Sequence, residues 1–290
     1  MMICRYYTGM PLPVLPQECA AHADLHIAIK AAAAAGDILI REYASLQHIE
    51  DKGIGDLVSS VDRACDSAIC TVLADARPHD AILSEELHSA LSDDKNRLWI
   101  VDPLDGTAPF LFRMGSDIPC ILIALRIEQH TELAVAFFPL TDEWFYAVRG
   151  AGAYKNGQKC SITARHTLRE SWIEMNHYGD SSLETTAFAG LSKNLRSKNG
   201  ARLVTVCSPN SGVALRLLDG ESMRSAVIHD NNPAHPKQCA WDTVAIQLII
   251  EESGGAMLNA KGERYDPFSP EMIIVGSESV CREIVERISG

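Results

Sequence analysis

Two aspartates that would repel each other end an apolar run in the sequence LWIVDPLDGT, residues 98–107. Pro103, between Asp102 and Asp105, removes a backbone donor and restricts the residue before it, so Asp102 is held extended. Carboxylates are hard oxygen ligands that suit Mg²⁺. We therefore expect a metal site here, completed by acids from other parts of the chain.

The next residues predict an anion site beside these acids. Gly106 allows a tight turn, and Thr107 begins a short helix that is predicted to run to Met114. The free N–H groups at a helix start can hold phosphate oxygens. The stretch DPLDGT thus places cation-binding carboxylates next to a phosphate-binding backbone, and we favour a functional interpretation of it over a structural one.

Further acids stand at the ends of predicted elements in three other segments. Asp62 opens a helix, Glu85 and Glu86 end the strand AILSEE, and Asp242 begins the helix WDTVAIQ. Taken singly, each is equally explained as a helix cap or a solvated strand end. If they converge on the two aspartates of DPLDGT, they complete a metal cluster.

The elements that must position these acids are predicted helices and strands. Residues 25–46 predict a long helix, a second helix starts at about Asp62, and SGVALRLLDG predicts another. The runs IPCILIALRI, ELAVAFFP and EWFYAVRG predict an antiparallel meander, and Asn156-Gly157 signals a hairpin. The fold class expected is α/β, a layered α+β sandwich that is antiparallel first and α/β-like second.

Composition narrows the function classes. The chain has 290 residues and a formal net charge of −12, which argues against nonspecific binding to nucleic acid or to an anionic membrane. Its nine cysteines lack CxxC spacing and suggest reduced thiols in a cytoplasmic protein. No apolar run reaches the length of a membrane span. We expect an N-terminal extension at 1–24 and one domain at 25–290, with subdomains of about 25–150 and 151–290.

DPLDGT resembles the metal motif of the inositol monophosphatase superfamily, the magnesium-dependent, lithium-sensitive phosphatases. Four further stretches resemble the family's other motifs in the family's order: DLVSSVD (56–62), LSEE (83–86), AVRGAGAYKNGQK (147–159) and WDTVAIQLIIEESGG (241–255). The resemblance covers most of the chain. It implies alternating layers of helix and sheet, a two- or three-metal phosphatase, and a homodimer.

The resemblance also implies a ligand set. One ion would be held by Glu85, Asp102 and the backbone carbonyl of Leu104. A second would be held by Asp102, Asp105 and Asp242, with Asp102 bridging the two. A third, weaker site would draw on Glu85. The implied ion is Mg²⁺, with Mn²⁺ as a substitute and Li⁺ as an inhibitor.

The remaining implied roles concern catalysis and substrate. Asp62 would orient Thr107, and this pair would position and deprotonate the attacking water. The backbone amides of Gly106 and Thr107 would hold phosphate oxygens, and Asp105 and Asp242 would also contact the substrate. A threonine hydroxyl is a poor base alone, so its partner Asp62 is what makes the relay chemically reasonable.

The sequence departs from the family where the substrate would bind. Ala108 and Pro109 follow DGT where relatives carry a polar residue and asparagine, and the family's small substrate loop falls at 208–211 with a poor match. The stretch 229–240 is unusual, and His235 or Lys237 within it could reach substrate or simply belong to a polar surface loop.

The substrate therefore stays open. The main expectation is a small polyol or sugar phosphate, with inositol phosphate as the type substrate. LSEE and DPLDGT also resemble bacterial adenosine bisphosphate nucleotidases, and histidinol phosphate and fructose bisphosphate are further alternatives. A non-catalytic phosphate-binding regulatory protein would be free to lose Asp62 or Thr107, yet both are present. A calcium-binding structural module would cluster its ligands in one short loop, whereas here they come from four segments.

Overall fold

The chain folds into helices and two large β-sheets. The computed structural model describes residues 12–43, 49–53, 56–86, 96–113, 119–162, 167–176, 186–207, 211–218, 224–229, 239–269 and 271–289. The helices are α1 (Gln17–Ala20), α2 (Ala23–Tyr43), α3 (Ser60–Ala76), α4 (Thr107–Phe112), α5 (Thr186–Leu195), α6 (Ala240–Glu252) and α7 (Glu278–Ser289). Among the described residues, 3₁₀-helices span Leu168–Glu170 and Ser211–Leu218. The strands are β1 (Ile49–Gly53), β2 (Asp56–Ser59), β3 (Ala81–Ser84), β4 (Arg97–Asp105), β5 (Cys120–Ile127), β6 (His130–Phe138), β7 (Glu143–Val148), β8 (Gly152–Lys155), β9 (Gln158–Lys159), β10 (Trp172–Asn176), β11 (Leu203–Cys207), β12 (Arg224–His229), β13 (Ala256–Leu258) and β14 (Ile273–Gly276).

A seven-stranded sheet carries the first half of the chain, in the order β3-β4-β5-β6-β7-β8-β9. β3 and β4 pair in parallel, and all other neighbours pair antiparallel. The predicted antiparallel meander is confirmed as β5, β6 and β7. The predicted hairpin joins β8 to β9, and Asn156 and Gly157 have φ angles of 48° and 83°, as a two-residue type I′ turn requires.

The two faces of this sheet pack against different helices, because successive strand residues point to opposite sides. Trp99 and Val101 of β4 lie in a hydrophobic core with α2 and α3. Ile100, between them, lies in a second core with α6. Close packing at α2 depends on Gly36, because the ring of Phe137 occupies the space that a Cβ atom would need.

A five-stranded sheet forms the second half, in the order β11-β10-β12-β14-β13. β10 pairs in parallel with β11 and β12, whereas β14 pairs antiparallel with β12 and β13. α6 lies between the two sheets in one core, which includes Ala136 from the first sheet and Val275 from the second. α5 and α7 cover the far face of the second sheet. The layers alternate between helix and sheet, which confirms the predicted fold class.

Element boundaries differ from the sequence predictions by a few residues. α2 begins at Ala23, two residues before the predicted start, and α3 begins at Ser60 instead of Asp62. The segment SGVALRLL is a 3₁₀-helix and not the α-helix that its spacing suggested. At eight residues it is longer than most 3₁₀-helices, and its first amides bond to a side chain of β4.

Three further expectations concern the chain as a whole. The cysteines whose side chains the structure describes are free thiols: Cys19, Cys65, Cys70, Cys120, Cys160, Cys239 and Cys281. No helix of the described ranges is long and apolar enough to cross a membrane. The division into 1–24 and 25–290, with its subdomains, stays a prediction. Cys19 of α1, within the predicted extension, is nevertheless fully buried in the core with α2 and α3.

Candidate active site

The carboxyl end of β4 carries two of the predicted metal ligands, and a bulge turns both to one side of the sheet. Asp102 pairs with Leu122 and Asp105 with Cys120, so three steps along β4 match two along β5. The extra residue reverses the usual alternation, because side chains in a strand change face at every step. The bulge contains Pro103, which cannot donate to the sheet. The sequence DPLD therefore places two carboxylates side by side.

The third carboxylate comes from the first turn of α6. Oxygen atoms of Asp102, Asp105 and Asp242 all lie within 4.8 Å of one another. Asp242 also accepts a hydrogen bond from the backbone N–H of Cys239, the residue that precedes the helix. Asp242 thus caps its helix, as the structural interpretation suggested, and still faces the other two acids.

Electrostatics make this cluster unfavourable without a cation. Burial, followed by the charges of Glu85, Asp105 and Asp242, raises the pKa of Asp102 well above its ordinary value. Burial and the charges of Glu85 and Asp105 likewise raise the pKa of Asp242. Glu85, just beyond β3, is only partly buried and acts on both acids through its charge. A divalent cation would relieve this repulsion.

Asp105 is held more tightly than its neighbours. The backbone N–H of Ser211 donates to Oδ1 at 3.0 Å, and that of Gly212 donates to Oδ2 at 2.6 Å. The thiol of Cys120 lies 3.4 Å from Oδ2. Burial raises the pKa of Asp105, and these hydrogen bonds oppose the rise because they favour the ionised form.

Thr107 and Asp62 form a hydrogen-bonded pair beside the acids. The Thr107 hydroxyl donates to Asp62 Oδ1 at 2.8 Å and lies 3.3 Å from the carbonyl oxygen of Leu104. Asp62, the third residue of α3, is fully buried. The shorter contact directs the single hydroxyl proton to Asp62, which leaves the lone pairs of the threonine oxygen available to another donor.

The turn between β4 and α4 depends on Gly106. Its φ of 91° lies in the left-handed region, where glycine carries no steric penalty, and the helix begins at the next residue, Thr107. The first N–H groups of a helix have no partner within it. Pro109 falls in this first turn, where the lack of an N–H costs nothing. The amide of Thr107 is thereby placed at the partly buried start of α4, two residues after Asp105.

The structure therefore brings together the residues that the sequence singled out. Asp102, Asp105, Asp242, Leu104, Gly106, Thr107 and Asp62 form one site, with Glu85 close enough to perturb the acids. Of the proposed substrate loop, 208–210 lies outside the described residues. So do His235 and Lys237 in the stretch 230–238.

Sequence reasoning missed several groups next to the cluster. The amides of Ser211 and Gly212 bond to Asp105, and the only signal for them was the Ser-Gly pair at the start of an apolar run. His229 was noted only as the edge of an unusual stretch. Burial lowers its pKa to about 3, and Asn176 lies 3.1 Å from its Nδ1 atom. A neutral His229 thus lines a pocket together with Asp242.

The fold and the site together are those of a metal-binding α/β protein. A helix lies between two sheets, and acids from separate segments meet at the bulged end of one strand. A family model described as the inositol monophosphatase family matches residues 21–289. The chain belongs to the inositol monophosphatase family. This is a phosphatase family that in general depends on magnesium, and the acidic cluster could bind a metal.

Individual relatives cover most of the chain. It is similar to the inositol-1-monophosphatase of Rhizobium meliloti (strain 1021), with 31% identity over 279 residues, 91% of this chain and 97% of the relative. It is also similar to the Nus factor SuhB of Salmonella typhimurium (strain LT2), with 36% identity over 243 residues, 83% of this chain and 86% of the relative. A solved structure of the extragenic suppressor protein suhB from Bartonella henselae aligns with a TM-score of 0.81 at 27% identity, covering 92% of this chain and 98% of that one.

Proposed function

We propose that this protein is a magnesium-dependent phosphomonoesterase that acts on a small polyol or sugar phosphate. The observation that carries the proposal is the convergence of three carboxylates within 4.8 Å, beside a hydroxyl–carboxylate pair at a helix start. Membership of a phosphatase family supports it. The name of the Rhizobium meliloti relative supports inositol phosphate as the type substrate.

The donor set fits magnesium. Carboxylates and a backbone carbonyl are hard oxygen ligands. Burial and then the neighbouring negative charges raise the pKa values of Asp102 and Asp242, and a divalent cation would neutralise those charges. We assign one ion to Glu85, Asp102 and the Leu104 carbonyl. We assign another to Asp102, Asp105 and Asp242. When bound, such ions supply Lewis-acid stabilisation of the charge on phosphate oxygens.

The other residues would handle a water molecule and the phosphate. Thr107 would orient the attacking water through its lone pairs and pass a proton to Asp62, with which it shares a 2.8 Å hydrogen bond. The amides of Gly106 and Thr107 would donate to phosphate oxygens, while Asp105 and Asp242 would contact the substrate as well. Such positioned proton transfer contributes about 10²–10⁴-fold to rates.

The finer assignments extend this proposal. We propose a cytoplasmic homodimer, which light scattering after size-exclusion chromatography would test. Adenosine bisphosphate, histidinol phosphate and fructose bisphosphate are the alternative substrates. A non-catalytic regulatory role is a second candidate, because the Salmonella typhimurium relative carries the name Nus factor.

The decisive experiment measures phosphate release from a panel of these compounds with Mg²⁺, with Mn²⁺, with chelator and with added Li⁺. We expect metal-dependent release from one compound, inhibited by Li⁺, and release about 10³-fold slower from an Asp102→Asn variant. Release that continues in chelator would contradict the metal assignment. If no compound of the panel releases phosphate although the protein binds metal, the result would favour the regulatory candidate.

A further inference from the structure

The 3₁₀-helix whose amides bond to Asp105 is itself joined to an ion-pair network on the first sheet. Both oxygens of Asp105 accept backbone N–H groups from the start of the 3₁₀-helix Ser211–Leu218, at 3.0 and 2.6 Å. Main-chain donors have no side-chain freedom. Their aim at Asp105 therefore depends on where the whole 3₁₀-helix lies.

Arg216 ties the other end of this 3₁₀-helix to the first sheet. Its guanidinium donates to Glu143 of β7 at 2.8 Å and lies 4.5 Å from the centre of the Phe138 ring at the end of β6. Its side chain is 17% exposed and that of Glu143 is 18% exposed. A half-buried pair backed by an aromatic ring is better fixed than a pair in open solvent.

Glu143 is itself held by a second set of partners. Lys155 lies 2.6 Å from one of its oxygens, and the Thr141 hydroxyl donates to the other at 2.6 Å. Burial raises the pKa of Glu143, but hydrogen bonds from Lys155, Thr141 and Arg216 bring it down to about 2. The carboxylate that anchors Arg216 is thus charged throughout the neutral range.

These contacts form a continuous series from Glu143 on the first sheet to Asp105, the predicted metal ligand. We propose that Arg216 is a positioning residue: its ion pair with Glu143 fixes the 3₁₀-helix so that the Ser211 and Gly212 amides hold Asp105 in a metal-binding orientation. This inference rests on the proposed function, which makes Asp105 a ligand. It adds a role for Arg216 and Glu143, which the sequence analysis did not single out.

The test measures Mn²⁺ binding directly, from the electron paramagnetic resonance signal of the free ion, on the full chain. Arg216→Met removes the charge, Glu143→Gln removes its partner, and Arg216→Lys keeps a cation without the planar fork. Groups that orient a ligand typically contribute about 10- to 100-fold to metal affinity. We expect about tenfold weaker binding in the first two variants and an intermediate loss in the third. Turnover at saturating Mg²⁺ should recover in all three, so that the apparent affinity for Mg²⁺ changes more than kcat.

Arg97→Met is the matched control. Arg97 makes ion pairs of similar burial with Asp24 and Asp80, at the opposite end of β4 from the site. We expect this variant to unfold at a lower temperature and to bind Mn²⁺ with wild-type affinity. Circular dichroism identifies the temperature at which each variant is folded.

The outcomes separate this proposal from the proposed function. Wild-type affinity in Arg216→Met would overturn the positioning role while leaving the metal site intact, and so would an equal loss in Arg97→Met. If Arg216→Met fails to fold, unchanged affinity in both Arg216→Lys and Glu143→Gln overturns it equally. A wild-type protein that binds no Mn²⁺ would instead overturn the proposed function, and the positioning role with it.

Discussion

Carboxylates lie at both ends of strand β4, under opposite electrostatic conditions. At the amino end, Arg97 donates to Asp80 and to Asp24, each at 2.9 Å, and the indole of Trp99 donates to the second oxygen of Asp80. At the carboxyl end, Asp102 and Asp105 face another aspartate from α6 within 4.8 Å. At its amino end β4 thus supplies a cation to acids of α2 and of the residue before β3, whereas at its carboxyl end it carries acids that face another acid.

The pKa values reflect this difference. Burial raises the pKa of Asp24, but hydrogen bonds and charges from Arg97 and Arg77 outweigh it, and the pKa falls below its ordinary value of 3.8. Burial and neighbouring acids move the pKa of Asp102 in the opposite direction. The protein itself neutralises the acids that join α2 to the sheet. The acids at the other end require a cation from outside, which is what a metal site provides.

The largest expected effect tests the carboxyl end directly. In the wild type the Leu104 N–H donates to Asp102 Oδ1 at 3.0 Å. Asp102→Asn keeps the side-chain shape and an oxygen that can accept this hydrogen bond. It removes the charge that we assign to both metal ions. We expect phosphate release to fall by about 10³-fold, the upper range for loss of one electrostatic contact in a site. Steady-state phosphate release and Mn²⁺ titration check this prediction.

Asp24→Asn is the control from the amino end. It changes a partly buried acid at the opposite end of β4, and we expect it to leave Mn²⁺ affinity unchanged. Normal turnover in Asp102→Asn would remove the basis for the comparison, because the carboxyl end would then be no more functional than the amino end.

The second prediction separates the hydroxyl from the metal ligands. Thr107→Val preserves shape and the backbone amide but removes the hydrogen bond to Asp62. We expect kcat to fall by about 10²-fold, within the range for a positioned proton-transfer group, while Mn²⁺ affinity stays at the wild-type value. Asp62→Asn should show the same pattern. A loss of metal binding in Thr107→Val would mean that the hydroxyl serves the cluster and not the water.

Much of the carboxyl end could be predicted from the sequence. Pro103 between two aspartates, then Gly106 and a helix start, are local signals, and the bulge and left-handed turn follow from those residue types. The antiparallel meander and the Asn156-Gly157 hairpin were likewise local. The convergence of Asp242 and Asp62 on this point came from the family resemblance, because spacing alone did not distinguish either from a helix cap.

The contacts that could not be predicted are those between distant segments with no distinctive residue type. Asp105 accepts hydrogen bonds from the backbone amides of Ser211 and Gly212, which are separated from it by 106 and 107 residues in the sequence. Any residue but proline supplies a backbone N–H, so no pattern marks Ser211 and Gly212 as donors. Arg97 and Asp24 are 73 residues apart, and each taken alone reads as an ordinary surface charge. Only the fold identifies such partners.

The third prediction tests the amino end. Arg97→Gln leaves Asp24 with Arg77, but it deprives Asp80 of its cation. Because the pair is partly buried, we expect a loss of about 2 kcal/mol, between the values for exposed and for fully buried pairs. At this chain length that corresponds to a fall in Tm of about 3 °C. Thermal unfolding with and without Mn²⁺ measures it, and the stabilisation by Mn²⁺ should match that of the wild type.

The smallest expected effect concerns the stability of the metal-free protein. Neutralising an acid at one end of β4 should change the free energy of unfolding with the opposite sign to neutralising an acid at the other end. The pKa of Asp24 is lowered on folding, so its contribution to stability is present above pH 3.8 and is lost as the pH falls through the folded value. Asp24→Asn should therefore be less stable than wild type at pH 7, with a difference that shrinks in acid.

The pKa of Asp102 is raised on folding, so its ionised form opposes folding increasingly as the pH rises above 3.8. In chelator, Asp102→Asn should consequently be more stable than wild type at pH 8, by about 1 kcal/mol for each unit of pKa shift, and the gain should shrink as the pH falls. Urea unfolding at several pH values measures both differences. If the two variants change stability with the same sign at neutral pH, then the acids at the carboxyl end of β4 are already neutralised by the protein, and the electrostatic reason for a metal there disappears.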